Sequence, residues 1–357
     1  MKRKRVWGDF STGGSRGIRM SHEYVRKGGA AARIVLVQAA ANQWGVPASE
    51  CTVAKGVITH GPSKRKTTYG KVAEAAARLE PPKDIKLKDP KEWKIVGKPI
   101  ARLDTLDKVT GKQVYGFDLK LPGMLNAAIK ECPVFGGKVK SFDAARVANM
   151  SGVNINQNAI FLECFMDELA EAAGQDPVAF RRKFMEKHPR NLAVLNAVAE
   201  GIGWDKPAPA GQFRGVAQMK AFNSFVAAAC EISVKGNKVK VHRIVAATDP
   251  GYAVNPAQIE RQVSGSFVYG LSALFMQECT VRDGRIVESN FHEYPAMRLA
   301  QMPKVETIII QGGGDTWGGI GEPTICVAAP AVLNALYKAT GKRIRSVPLR
   351  NHGYEMA

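Results

Sequence analysis

Gly312-Gly-Gly-Asp-Thr-Trp-Gly-Gly-Ile-Gly-Glu-Pro-Thr324 is the most unusual stretch of this sequence. It follows the apolar run Val305 to Ile310, which reads as a strand, and precedes a helical pattern that runs to about Thr340 and stops at Gly341. A strand, a glycine-rich turn and a helix form an α/β unit. In principle they also bind phosphate, because bare backbone N–H groups and the positive helix end converge there. Two specific versions fail. A dinucleotide fingerprint needs a third glycine where Thr324 follows Gly319-Ile-Gly321, and a P-loop needs Gly-Lys-Ser/Thr where Gly341-Lys342-Arg343 ends a helix. Glu322 sits inside the stretch between Gly321 and Pro323, which places one carboxylate beside an easily approached backbone. Taken alone, such an acid is more often solvated or capping.

Upstream, Ile259, Val263, Phe267, Leu271 and Leu274 mark a helix with Gly265 and Gly270 on or beside its face, where Gly permits close packing. Gln262 reads there as a polar helix residue. Asp283-Gly284 turns one hairpin. Phe225 to Val234 and Val239 to Ala247 form another around Gly236-Asn237. Three helices come before it. The first carries Phe161, Cys164, Phe165, Leu169 and Ala172 at helical spacing, with Asp167 and Glu168 expected on its wet side. The second is capped by Asp176-Pro177 with Phe180 and Phe184 facing inward, and the third holds Leu192, Leu195, Val198 and Ile202.

Toward the N-terminus, residues 95 to 153 read as a small, mostly β module with strands over Gln113 to Leu119 and Met124 to Lys130. Residues 80 to 94, with Pro81, Pro82 and Pro90 among lysines, read as a charged linker. Before it, the spacing predicts a helix through Ile34, Val37, Ala41 and Trp44 that stops near Gly45, a strand over Thr52 to His60 and a helix over Lys71 to Leu79. Thr12-Gly-Gly-Ser-Arg16 forms a loop ahead of the first of these.

The 357 residues allow two or three domains. The net charge of +19 is concentrated in residues 1 to 150, which carry +16 of it. Charge alone does not choose among nucleic acid, an anionic surface, an acidic partner subunit, a pyrophosphate-bearing cofactor and plain solvated lysines. Aromatics are not interleaved with the basic residues, so nucleic acid is not expected. The six cysteines include no C-x-x-C pair, so no metal site or iron–sulfur cluster is expected on this chain. Cys164 and Cys230, in apolar runs, read as small core residues. No stretch is long and apolar enough to span a membrane. The basic start lacks an apolar core, so no signal peptide is expected and the chain reads as cytoplasmic as written. No histidine pair or nucleophile elbow supports a hydrolase.

Several quoted motifs, in order, resemble the large subunit of the xanthine oxidase and aldehyde oxidase family of molybdenum hydroxylases, closest to the isoquinoline 1-oxidoreductase β-subunit type. Gly318-Gly-Ile-Gly-Glu322-Pro, Ala328-Ala-Pro-Ala-Val-Leu-Asn334-Ala and Ala339-Thr-Gly-Lys-Arg-Ile344 are similar to its C-terminal signature. Asn156-Gln-Asn158, Glu163-Cys-Phe-Met-Asp-Glu-Leu169, Asp176-Pro-Val-Ala-Phe-Arg-Arg182, Asp249-Pro-Gly251, Val254-Asn-Pro256 and Gln262-Val-Ser-Gly-Ser-Phe267 resemble its second cofactor domain. Gly97-Lys-Pro-Ile-Ala-Arg-Leu-Asp104 and Cys132-Pro-Val-Phe-Gly-Gly-Lys138 resemble its α/β hammerhead domain, and Thr12 to Arg16 part of its first cofactor domain.

The resemblance implies an α/β (α+β) fold made of molybdopterin-binding domain pieces and a partial α/β hammerhead domain. Residues 1–90 would be a partial first cofactor domain, 91–153 the hammerhead piece and 154–357 the second cofactor domain. It implies molybdopterin with molybdenum, in the cytosine dinucleotide form, and hydroxylation of an aldehyde or N-heterocycle with water as oxygen source. Electrons would leave through a small iron–sulfur partner subunit. Glu322 matches the family's catalytic base. Gln262, Gly265, Gly319, Gly321, Gly13, Gly14 and Ser15 match positions at the cofactor. Relatives of this type are often periplasmic. The family's segment ahead of Thr12, and its large region between Val153 and Asn154 with a Gly-Gly-Gly-Phe-Gly loop over the metal, have no counterpart. A shortened remnant that keeps the fold without cofactor is therefore the competing expectation.

Overall fold

The computed structural model describes residues 13–118, 121–122, 155–315 and 317–357. The chain forms two compact units, Arg16–Lys94 and Met1–Ser15 with Ile95–Ala357.

The smaller unit is built from α1 (His22–Trp44), β1 (Cys51–Ala54), β2 (Val57–His60), β3 (Lys66–Thr68) and α2 (Tyr69–Ala77). Gly45, left-handed at φ 64, ends α1 where the sequence places the stop, its N–H reaching the carbonyls of Ala41 and Asn42. The single strand expected over Thr52 to His60 is a hairpin. Lys55 and Gly56 both take positive φ, the conformation a two-residue turn requires. Ala39, Ala40, Ile58, Val72 and Ala76 form its core.

The larger unit begins differently from expectation. The expected strand over Gln113 to Leu119 is, in its described part, irregular chain leading to a 3-10 turn at Gly116–Asp118, preceded by a helical turn at Thr105–Val109. The Asp118 carboxylate accepts from the Tyr115 N–H at 2.8 Å while the Asp118 N–H returns to the Tyr115 carbonyl, a local closure that competes with strand pairing. The strand expected at Met124 to Lys130 lies outside the described residues. So does the end of that module.

Then follow α3 (Ile155–Ala172), α4 (Pro177–Met185), α5 (Pro189–Ile202), β4 (Phe213–Ala221), β5 (Ser224–Lys235), β6 (Lys238–Asp249), α6 (Pro256–Phe275), a small hairpin β7 (Val281–Arg282) and β8 (Arg285–Ile286), β9 (Lys304–Ile309), a 3-10 turn Pro323–Val327, α7 (Ala328–Thr340) and β10 (Glu355–Met356). One sheet runs β4-β5-β6 antiparallel. Both β9 and the short β10 pair with β6 in parallel. Sequence patterning misses β4, because Arg214, Gly215 and Gln218 interrupt its apolar residues.

Alternate residues of the sheet feed two cores. Ala217, Val226, Ala228, Cys230 and Ile244 pack toward α6 and α7, whereas Val216, Ala227, Ala229 and Val245 pack toward α5. Helices on both faces explain why β5 reads as a continuous apolar run rather than an alternation. The ladder shifts register after Glu231, where His242 has no opposite residue. Among the described residues no helix is long and apolar enough to cross a membrane.

The first two helices of this unit are turned the opposite way from expectation. On α3, Phe161 and Phe165 are 66% and 55% exposed, while Glu163 and Asp167 are buried. On α4, Phe184 is 56% exposed, Phe180 is only partly buried and Arg181 is fully buried. The cause is one polar knot. Arg181 donates to the Glu163 carboxylate (3.0 Å), the Glu163 carbonyl (2.8 Å) and the Pro177 carbonyl (3.1 Å). Glu163 also accepts from the Gln218 N–H of β4, and Arg343 reaches Asp167 at 3.0 Å. Burial pushes the Glu163 carboxyl up, against the pull of Arg181. A charge set this deep is kept only when paired and hydrogen-bonded, so the helices present their charged faces to one another.

Gly215 lets α7 lie on β4: a Cβ there would sit 2.1 Å from the Ala331 carbonyl oxygen and 2.4 Å from the Ala335 nitrogen. Backbone cannot yield as a side chain does. Gly215→Ala is expected to cost about 3 kcal/mol. Gly29→Ala, in α1 with nothing within 4 Å of the new Cβ, is expected to stabilise the smaller unit by about 1 kcal/mol. Urea unfolding monitored by circular dichroism checks both.

Candidate active site at the glycine-rich turn

The site is assembled where β6 ends and the turn after β9 crosses it. Asp249, wholly buried at the last position of β6, accepts from Arg190 Nε (2.6 Å) and Nη2 (2.8 Å), from the Gly251 N–H (2.8 Å) and from the Gly312 N–H (3.1 Å). Burial pushes its carboxyl up, but these donors outweigh it and hold it below the ordinary carboxylate value. Asp249 thereby anchors the start of the turn. Farther along, the Gly318 N–H donates to the Pro250 carbonyl, the Gly319 N–H to the Phe222 carbonyl, and Ser224 Oγ to the Gly319 carbonyl at 2.6 Å. A Cβ at Gly318 would lie 2.2 Å from Ser224 Oγ, so only glycine lets the turn pass this hairpin.

These bonds change the reading of the turn. The amides of Gly312, Gly313, Gly318, Gly319 and Glu322 all donate within the protein. They are spent on fixing the turn and do not form a phosphate cradle.

Glu322 is partly buried just ahead of the 3-10 turn that starts at Pro323. Ser15 Oγ donates to its Oε2 at 3.0 Å and accepts from its N–H at 3.0 Å. Among the described residues the other carboxylate oxygen takes no hydrogen bond. Gly14 (φ 69) and Ser15 (φ 53) are both left-handed, which brings the loop hard against the turn. A Cβ on Gly319 would fall 2.1 Å from Ser15 Cβ. Gln262 Nε2 donates to the Gly321 carbonyl at 2.6 Å, tying α6 to the same turn.

Of the residues singled out from the sequence, Ser15, Gln262, Gly319, Gly321 and Glu322 come together. Gly14 shapes the loop. Gly13 is exposed, and Gly265 lies one turn beyond Gln262 with nothing within 4 Å of where a Cβ would point. The clamp of Asp249, Arg190 and Ser224 is absent from the sequence reading. Asp249-Pro250-Gly251 signals a turn after a strand, but Arg190 carries no signal and its role appears only when α5 reaches the sheet. Cys326 is buried beside the site, within reach of the Asn156 amide oxygen at 3.2 Å, and burial pushes its thiol up to about 12, so it is not a ready metal ligand.

A molybdopterin cofactor-binding domain family matches residues 126–303. The chain is 31% identical over 209 residues to the β-subunit of isoquinoline 1-oxidoreductase from Brevundimonas diminuta, covering 57% of this chain and 27% of that protein. It is 26% identical over 223 residues to a nicotinate dehydrogenase subunit of Pseudomonas putida, covering 57% and 19%. It is 25% identical over 240 residues to the molybdenum-binding subunit of aldehyde oxidoreductase, PaoC, of Escherichia coli O157:H7, covering 63% and 32%. The chain thus spans about a third or less of the length of these relatives.

Because the Asp249 carboxyl is held low in the folded protein, its contribution is fully present above the unfolded value near about 4 and is lost as pH falls through the folded one. Asp249→Asn is expected to cost about 2 kcal/mol at pH 7. The gap from the parent should narrow below about pH 4. Urea midpoints measured from neutral to acid pH test this; a gap that stays constant with pH would refute the assignment.

Proposed function

We propose that this chain, a member of the xanthine oxidase family of molybdenum hydroxylases, supplies the general base and part of the cofactor cradle of an enzyme that hydroxylates an aldehyde or N-heterocycle with water as the oxygen source. The observation that carries this reading is Glu322, with one oxygen fixed by Ser15 and the other left without a partner among the described residues.

The residues fit such a cofactor. Among those described, no group of three His, Cys, Asp or Glu could hold a metal, so a metal here would have to arrive on an organic carrier, as molybdenum does on molybdopterin. The carrier needs hydrogen-bonding groups and room. Ser15 and Gln262 offer the first, and the open space beside Gly265 offers the second. Gly13, Gly14, Gly319 and Gly321 are assigned with them to the cofactor surface. When bound, the cofactor would supply two-electron oxidation with oxygen transfer. We assign it the cytosine dinucleotide form, with electrons leaving through a small iron–sulfur subunit.

The chain's own part is proton handling. The Ser15 hydroxyl holds Glu322 Oε2, which fixes the plane of the carboxylate, and Oε1 is the oxygen positioned to take a proton. Gln262, by holding the Gly321 carbonyl, sets the backbone immediately ahead of the base. Names of the relatives, an isoquinoline oxidoreductase, a nicotinate dehydrogenase and an aldehyde oxidoreductase, support the substrate class.

Protein purified from cells that make the cofactor is expected to carry molybdenum in stoichiometric amount by elemental analysis. Glu322→Gln should keep the metal while oxidation of benzaldehyde or nicotinate with a dye acceptor falls by about 10²–10⁴-fold. Ser15→Ala, which removes one hydrogen bond from the base, should slow it by about 3- to 10-fold. Protein without molybdenum would reject the reading and leave a remnant that keeps the fold without cofactor.

A further inference from the structure

An open recess of about 370 Å³ lies at the far end of the sheet from Glu322, lined by Pro177, Trp204, Lys206, Gln212, Phe213 and Lys338 among others. Phe213 begins β4, and the glycine-rich turn bonds to Phe222 just beyond its end. At about 3.3 Å per residue the two places are about 30 Å apart. The recess therefore belongs to neither the base nor its cradle.

Its walls are fixed by polar bonds. Trp204 Nε1 donates to Asp176 Oδ2 at 2.8 Å, which sets the plane of the indole, and Asp176 also accepts from the N–H groups of Val178 and Ala179 at the start of α4. Arg214 Nη1 donates to the carbonyls of Gly203 and Lys206, both at 2.7 Å, while its Nε and Nη2 bind Glu231. That pins the turn carrying Trp204 and Lys206. Arg214 and Glu231 thus neutralise one another, while the Asp176 oxygens are taken up by the indole and by backbone. Among the described residues Lys206, Lys338 and Asp176 of the lining are in no salt bridge, so two ammonium groups face one carboxylate and the recess keeps a net positive charge. Gln212 adds a buried side-chain oxygen without a hydrogen-bond partner.

A rigid aromatic wall, a second ring at Phe213, two unpaired ammonium groups and an unsatisfied amide acceptor define a small ligand of particular chemistry. We propose that the recess binds a small aromatic carboxylate, its ring against Trp204 and its carboxylate toward Lys206 and Lys338. The wall bonds are already made, so ordering it on binding costs little. The site stands apart from the proposed oxidation: it needs no metal and no cofactor.

Titration of the purified chain with benzoate, followed by tryptophan fluorescence, is expected to give saturable quenching with a Kd of about 1 mM. Trp204→Phe should abolish the signal. Lys206→Gln with Lys338→Gln, both on the surface and remote from any core contact, should weaken binding by about 5- to 10-fold. Glu322→Gln should leave it unchanged, which separates this site from the proposed active site. Benzamide, isosteric but uncharged, should bind far more weakly. Equal affinity for benzamide, equal displacement by inorganic phosphate, or no change in the double lysine variant would each overturn the proposal.

Discussion

A carboxylate buried at the end of a central strand has to be neutralised where it stands, and the arrangement around Asp249 follows from that demand. Arg190 comes from the first turn of α5, lies over the Phe225 ring at 4.5 Å and takes both carboxylate oxygens. The remaining acceptor capacity is filled by the amides of Gly251 and Gly312. An ion left unpaired there would cost several kcal/mol, so the sheet, the helix and the two ends of the loop system are held to a single relative position. Everything about the Glu322 turn begins from that fixed point.

The turn itself shows how glycines serve a site without binding its ligand through their amides. Gly318 and Gly319 are bare because Ser224 and Ser15 occupy the space where their side chains would be. Their amide donors are consumed elsewhere, by the carbonyls of Pro250 and Phe222. Side chains and one carboxylate are what remain to face a bound group, so the turn is not built to capture a free phosphate through these amides. Ser15, 307 residues away from Glu322 in sequence, meets both the carboxylate and the amide of that residue.

The paired helices α3 and α4 show the limit of reading amphipathicity from one helix at a time. Each has an apolar stripe and a charged stripe, and a rule that turns apolar faces inward puts Phe165 and Phe184 in the core. Arg181 reverses the outcome, because its guanidinium finds Glu163, Asp167 and two carbonyls in one place, while Gln218 and Arg343 complete the set. The satisfied polar knot takes the interior and the phenyl rings remain outside.

The sequence was enough for the strand, turn and helix around Glu322, the hairpin of β5 and β6, the helix α6, the helices α5 and α7 with their glycine stops, and a family resemblance carried by ordered motifs. Those features rest on periodicity and on backbone preferences that a few neighbouring residues settle among themselves. The tertiary structure alone decided the hairpin partner β4, the buried side of α3 and α4, the clamp at Asp249 and the meeting of Ser15 with Glu322. Each of these depends on which distant donor satisfies which buried acceptor, and such a choice is made only when the segments are packed together and water has gone.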